Sequence, residues 1–202
     1  MNTWVPLDVS DCDPNPFVQF RRWFDDALGV MADREAIALV TSTPDGRPSA
    51  RMVLLRHVDD RSLGWFTNYH SRKGGELFTN RHAALLWYCE GLGRQIRVEG
   101  DAETMAPEES DAYFARRPRG HQLSALASDQ SRPLESRVVL EERVRQLEAE
   151  YAGREVPRPD HWGGYRLVPS AFEFWQHRED RLHDRVVYWP EGDGWRRGRR
   201  SP

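Results

Sequence analysis

Between residues 36 and 104 the chain alternates short β-prone runs with tight-turn signals, and no other feature narrows its possible folds as much. Residues 36 to 43 and 48 to 58 read as strands joined by Pro44-Asp45-Gly46, where Pro presets one turn dihedral and Gly accepts the other. Asp59-Asp60-Arg61-Ser62 turns the chain into a third run, 63 to 68. An apolar strand over 82 to 89 is joined to one over 94 to 104 by a Gly-containing turn at 90 to 93. Connections this short allow antiparallel neighbours only, because a parallel crossover needs a dozen or more residues. Later runs at 163 to 168, 171 to 176 and 181 to 189 add strands before a final Trp195.

Helices interrupt this series. Phe17, Phe20, Trp23, Phe24, Ala27 and Leu28 recur at helical spacing across 15 to 29, and Ser71 can cap a short helix running to Asn80. Residues 107 to 116 begin with acidic residues suited to a helix N-terminus. A longer charged helix over 136 to 151 has Val139, Leu140, Val144 and Leu147 as its apolar side and stops before Pro157-Arg158-Pro159. Hairpin-linked strands broken by helices predict an α+β fold built on an antiparallel barrel, not alternating βαβ units. Length suits a single domain over 16–202 after a short flexible segment, 1–15.

Charge and cysteine usage exclude several function classes. A net charge of −3 offers no general basic field, so nucleic acid is not an expected partner. Cys12 and Cys89 lack metal-ligand spacing and read as free thiols of a reducing compartment, with no metal site expected. The longest apolar run, 83 to 89, is too short to span a bilayer, and the first residues lack the basic start and apolar core of a leader. A cytoplasmic protein without membrane contact is expected.

The candidate chemistry is dispersed. No Gly-rich dinucleotide fingerprint, phosphate loop or His-Glu-x-x-His motif is present. If residues 181 to 188 form a strand, Arg181, His183 and Arg185 share one face, with Leu182 and Asp184 on the other. Such a row is either a wall for an anionic ligand or a solvated outer face. Lys73 is the only lysine among 29 basic residues. It lies in Ser71-Arg72-Lys73-Gly74, where a helix N-terminus and two cations suit a phosphate. The alternative is a lysine retained by chance on a helix surface.

Taken in order, these segments resemble the pyridoxine/pyridoxamine 5′-phosphate oxidase family from about Pro16 onward. The motifs that carry the resemblance begin with the strand from Arg51, Thr67-Asn68 before Ser71-Arg72-Lys73-Gly74, and Gly93-Arg94-Gln95. They continue with Tyr113-Phe114 followed by Arg117-Pro118-Arg119, Trp162-Gly163-Gly164, Phe174-Trp175-Gln176 and Arg181-Leu182-His183-Asp184-Arg185. The resemblance implies a six-stranded split barrel with flanking helices, a homodimer, and FMN at the subunit interface. It implies a flavin surrounded by Arg51, Met52, Val53, Leu54, Leu55, Phe66, Thr67, Arg72, Lys73, Gln95, Gln130, Ser131, Trp175 and Arg185, with Arg72 and Lys73 on its phosphate.

On the substrate side the resemblance implies Arg56, Tyr113, Arg117 and His121 around a phosphorylated pyridine, with Arg181 and His183 as the catalytic pair over its ring. The implied reaction oxidises pyridoxine or pyridoxamine 5′-phosphate to pyridoxal 5′-phosphate with dioxygen as acceptor. Departures fall mainly on this side. Arg56 stands where the family usually has Lys, and a fork is not equivalent to a point charge at a phosphate. His121 replaces a usual Ser, Ser124 and Leu126 replace a Gly and a Trp, and the first 15 residues lack the family's basic and aromatic lid. The C-terminal stretch from Arg196 also has charges where apolar residues are usual. Two other readings follow: an oxidase of another aromatic or carboxylated metabolite, of phenazine type, and a split-barrel protein that binds flavin or pyridoxal phosphate without turnover.

Overall fold

The computed structural model describes residues 4–202. Helix α1, Pro16–Asp26, starts where the Asn15 side chain accepts a hydrogen bond from the Phe17 amide and Pro16 occupies the first turn. Strand β1 (Ala36–Ser42) pairs antiparallel with β2 (Pro48–Leu54), and a two-residue strand, β3 (His57–Val58), leads into β4 (Leu63–Asn68). Helix α2 (Arg72–Thr79) follows, capped by Ser71, and then β5 (His82–Cys89) and β6 (Arg94–Thr104). Helices α3 (Pro107–Ala115), α4 (Arg119–Ala127) and α5 (Arg137–Glu150) precede β7 (Trp162–Gln176), β8 (Asp184–Glu191) and β9 (Gly194–Arg199). Helix α4 has no counterpart in the sequence reading.

All nine strands of the described residues belong to one antiparallel sheet. Its main path runs β2-β1-β5-β6-β7-β4-β3, with β8 on β7 and β9 on β8. Strand β7 is continuous where two separate runs were expected. Pro169-Ser170 does not end it; the register slips there, so that Glu99 pairs with Ala171 and Gly100 with Pro169. A Cβ at Gly100 would stand 2.1 Å from the Val168 carbonyl oxygen, so the close approach at this bulge needs glycine. Before the bulge β7 pairs with β4, and beyond it with β8.

Alternation along the strands builds the core. Leu39, Leu85, Trp87, Ile96, Val98, Phe174 and Val186 are fully buried on one face. Helix α1 covers them: Trp23 meets Phe174 edge-on at 5.3 Å, and Phe17 meets Phe172 at 5.1 Å. Both cysteines are buried and unpaired. The N-terminal segment, expected to be flexible, makes specific contacts within residues 4–15. Leu7 is buried with its amide on Asp184, and Trp4 lies against His177. Among the described residues no helix is long and apolar enough to cross a membrane.

Candidate active site

The start of α2 concentrates the first group of expected site residues. Lys73 is 9% exposed, and its ammonium donates to Thr67 Oγ1 (2.9 Å), Ser71 Oγ (3.3 Å) and Gln130 Oε1 (2.7 Å). All three partners are neutral. Burial, with the Arg51 charge nearby, brings the Lys73 pKa down to about 8. A buried cation without a carboxylate is costly, and an anionic ligand would offset that cost. Gly74 lets the turn form, since a Cβ there would meet the Tyr69 carbonyl oxygen at 2.0 Å.

Arg51, whose charge acts on this ammonium, and Arg72 share one buried carboxylate, Glu76. Arg72 Nε donates to Glu76 Oε1 at 2.9 Å, and Arg51 Nη2 reaches Oε2 at 3.3 Å. Thr41 and Ser49 donate their hydroxyls to the same Oε2. These bonds hold the Glu76 pKa down at about 2, against the upward push of burial. Sequence reading passed over Glu76, although its position four residues after Arg72 is the spacing of a helical ion pair.

A second group lies on another face. Cross-strand register aligns Gln95 with Trp175, and Trp175 with Arg185. Their neighbours Ile96, Phe174 and Val186 point into the core, so this row points away from it. Arg185 is engaged by Glu173, with Nη2 at 2.8 Å from Oε2 and Nε at 3.1 Å from Oε1. Glu173 is buried and also accepts from Arg97 and Arg200. Met52 and Leu54 alternate with Arg51 and Val53 along β2 and are exposed, whereas Leu55 is buried. Among the described residues no hydrogen bond or ion pair joins the row of Gln95, Trp175 and Arg185 to the Lys73 group.

The row that a strand over 181 to 188 would build does not form. Arg181, His183 and Arg185 do not share a strand face, because β8 begins only at Asp184. Its partner β7 ends at Gln176, opposite Asp184, so residues 177–183 have no strand to pair with. They form a connection instead, with a short helical turn at Glu179–Arg181 and left-handed backbone at Asp180 (φ 53°) and Arg181 (φ 60°). Arg181 is exposed at that turn, while His183 packs on Trp175 with ring centroids 4.5 Å apart. The Arg178 amide donates to His183 Nδ1 at 3.1 Å, which leaves Nε2 to hold the proton of the neutral ring. Burial, followed by His177 and Arg181, pushes the imidazole below its ordinary pKa.

Of the expected substrate residues, Tyr113, Arg117 and Arg56 lie around helix α3. Tyr113 lies flat on Phe66, with centroids 3.9 Å apart and planes 5° from parallel, and Trp162 continues the stack at 5.5 Å from Phe66. The Arg117 guanidinium covers Trp162 at 4.6 Å, and its buried Nη1 has no hydrogen-bond partner. Burial lowers its pKa. Arg56 borders a cavity of about 480 Å³ with Tyr113, Leu55 and Arg116, where it is ion-paired to Glu35. His121 is exposed in the first turn of α4, away from any side-chain partner among the described residues. Ser131, next to Gln130, is exposed with φ 70°.

Comparison with known proteins gives a consistent picture. Residues 25–151 match the family model described as pyridoxamine 5′-phosphate oxidase. Residues 162–202 match that of the pyridoxine 5′-phosphate oxidase C-terminal dimerisation region. The pyridoxine/pyridoxamine 5′-phosphate oxidase of Rubrobacter xylanophilus is 56% identical over 201 residues, covering 99% of this chain and 93% of that protein. The corresponding protein of Paraburkholderia phymatum is 54% identical, covering 97% and 93%. Among solved structures, PhzG from Burkholderia lata, in complex with tetrahydrophenazine-1-carboxylic acid, is similar at a TM-score of 0.92 and 33% identity, with full coverage of both chains.

Proposed function

The chain belongs to the pyridoxamine 5′-phosphate oxidase family, and from that premise we propose that it is a cytoplasmic homodimer that uses FMN and dioxygen to convert pyridoxine or pyridoxamine 5′-phosphate to pyridoxal 5′-phosphate. One observation favours this substrate class. Two cations, the buried Lys73 and the half-buried Arg117 with its buried Nη1, lack acidic partners among the described residues and belong to separate clusters. Two phosphate monoesters, one on the cofactor and one on the substrate, match that pair of sites. The segregation of Gln95, Trp175 and Arg185 from the Lys73 group supports a site completed by a second copy. The match of residues 162–202 to a dimerisation region points the same way.

The residues would act as follows. Lys73 and Arg72 hold the FMN phosphate, and Thr67 and Gln130 orient the ammonium. Arg51 to Leu55, Phe66 and Ser131 border the flavin, while the partner subunit offers the row of Gln95, Trp175 and Arg185. Arg117 and Tyr113 take the substrate phosphate, joined by Arg56 once it releases Glu35, with His121 at the rim. Arg181 positions the pyridine ring, and His183 donates from Nε2 to an acceptor on it. The redox chemistry, uptake of a hydride from C4′ and return of the electrons to dioxygen, is what FMN supplies when bound. The protein contributes orientation and fixed charge.

Purified protein tests this directly. The flavin spectrum is recorded, and oxygen-dependent pyridoxal 5′-phosphate formation is followed from both phosphorylated substrates. Turnover of at least one is expected, with Arg181→Met lowering kcat while FMN stays bound. A yellow protein that oxidises neither, or one that oxidises only a carboxylated tricyclic substrate, would refute the assignment. The second outcome favours the PhzG-like reading, which the 33% identity to that structure keeps in view.

A further inference from the structure

We propose that Glu76 is a positioning residue for cofactor binding, whose buried carboxylate holds Arg51 and Arg72 in the arrangement that makes this corner selective for a phosphorylated flavin. The inference rests on reading the start of α2 as the FMN phosphate cradle. Glu76 Oε2 is fixed by the Thr41 and Ser49 hydroxyls, the latter at 2.6 Å, and by Arg51 at 3.3 Å. Oε1 takes Arg72 Nε at 2.9 Å. Arg51 is held at every terminal nitrogen: Nη1 on the Leu39 carbonyl and Thr41, and Nη2 on Ser49 and Glu76. Arg72 meets Glu76 through Nε alone, so its two terminal nitrogens remain available to a ligand among the described residues.

Charge balance fits the same role. Arg51, Arg72 and Lys73 against Glu76 leave a net of two positive charges, the complement of a phosphate dianion. Without the carboxylate, Arg51 stands uncompensated beside the buried Lys73 ammonium, and Arg72 loses its anchor. An anion this close to a phosphate also repels it. The two roles therefore predict opposite signs when Glu76 is neutralised. A bystander charge gives tighter FMN binding on removal, and a positioning group gives weaker binding.

The test is fluorescence titration of flavin-free dimer with FMN and with riboflavin, which lacks the phosphate. Glu76→Gln should weaken FMN at least about tenfold and leave riboflavin within about twofold, as expected for misdirected charge-assisted hydrogen bonds. Glu76→Asp keeps the charge but shortens its reach, and should shift the FMN to riboflavin ratio in the same direction. It also serves if the Gln variant does not fold. Unchanged or tighter FMN binding in these variants, or equal loss of both flavins, overturns the inference alone. A wild-type protein that does not prefer FMN to riboflavin overturns the phosphate cradle and the inference with it.

Discussion

Replacing Lys73 by Met should move stability and cofactor affinity in opposite directions. In the folded chain Lys73 is 9% exposed, and its pKa falls from 10.5 to about 8. At pH 7 the unfolded chain therefore holds this proton more readily than the folded one. The displacement corresponds to about 3 kcal/mol of stability forgone by the flavin-free protein. The sign follows from proton counts. Between pH 8 and 10.5 the unfolded state binds more protons, so the stability of flavin-free wild type rises with pH across that window. Met fills much of the same volume without the charge but leaves Gln130 Oε1 only its 3.3 Å bond from Thr67, which offsets part of the gain. A net stabilisation of about 1 to 3 kcal/mol is expected at pH 7 from urea denaturation of the flavin-free dimer. FMN affinity should fall about tenfold to a hundredfold, because a charge-assisted contact to the phosphate is lost. Wild-type FMN affinity should also decline above pH 8 as Lys73 deprotonates, a decline absent from the variant. A flavin-free variant less stable than wild type, with FMN affinity unchanged, would refute the reading of Lys73 as a cation held in reserve for a phosphate.

Other positions give independent checks. Glu173→Gln removes the charge shared by Arg97, Arg185 and Arg200 and should cost about 2 to 4 kcal/mol in urea denaturation, because a buried pairing is broken from one side. Gly74→Ala forces a Cβ to 2.0 Å from the Tyr69 carbonyl oxygen, so both melting temperature and FMN affinity should drop. A Gly75→Ala control, with open space at its Cβ, should leave both nearly unchanged.

Sequence and structure agree where the signal is local. The Pro44-Asp45-Gly46 turn, the Ser71 cap and the apolar spacing of Phe17, Phe20 and Trp23 act through nearest neighbours, and each element forms where those residues predict it. Helix α4 escaped because its inward side is only Leu123 and Ala127, too sparse for a helical period. The Arg181 row failed for a nonlocal reason: a strand needs a partner, and β7 ends one register short of His183. Nor does alternation predict positive φ at Asp180 and Arg181, neither of which is glycine. Lys73, its helix cap and the nearby Thr67 were visible as a motif, but not the neutral closure of the set, since Gln130 comes from a distant segment. Glu173 and most of the Glu76 set, Thr41, Ser49 and Arg51, are brought together only by the sheet, and the i,i+4 pair with Arg72 is the one local sign of Glu76.

Strand β7 sits between β6 and β4, pairing with β6 along its length and with β4 and β8 on its other edge. As the chain leaves the ribosome, β4 and β6 are complete while the strand that must join them is still unsynthesised. Some sixty residues, including three helices, emerge between the end of β6 and the start of β7. The apolar faces of β5 and β6 therefore wait for a late, nonlocal partner, the circumstance in which loop closure is slow and exposed edges invite aggregation. A nascent chain stalled before Trp162 would retain an open edge, and closure of the sheet becomes one of the last events in the life of the polypeptide before it can fold.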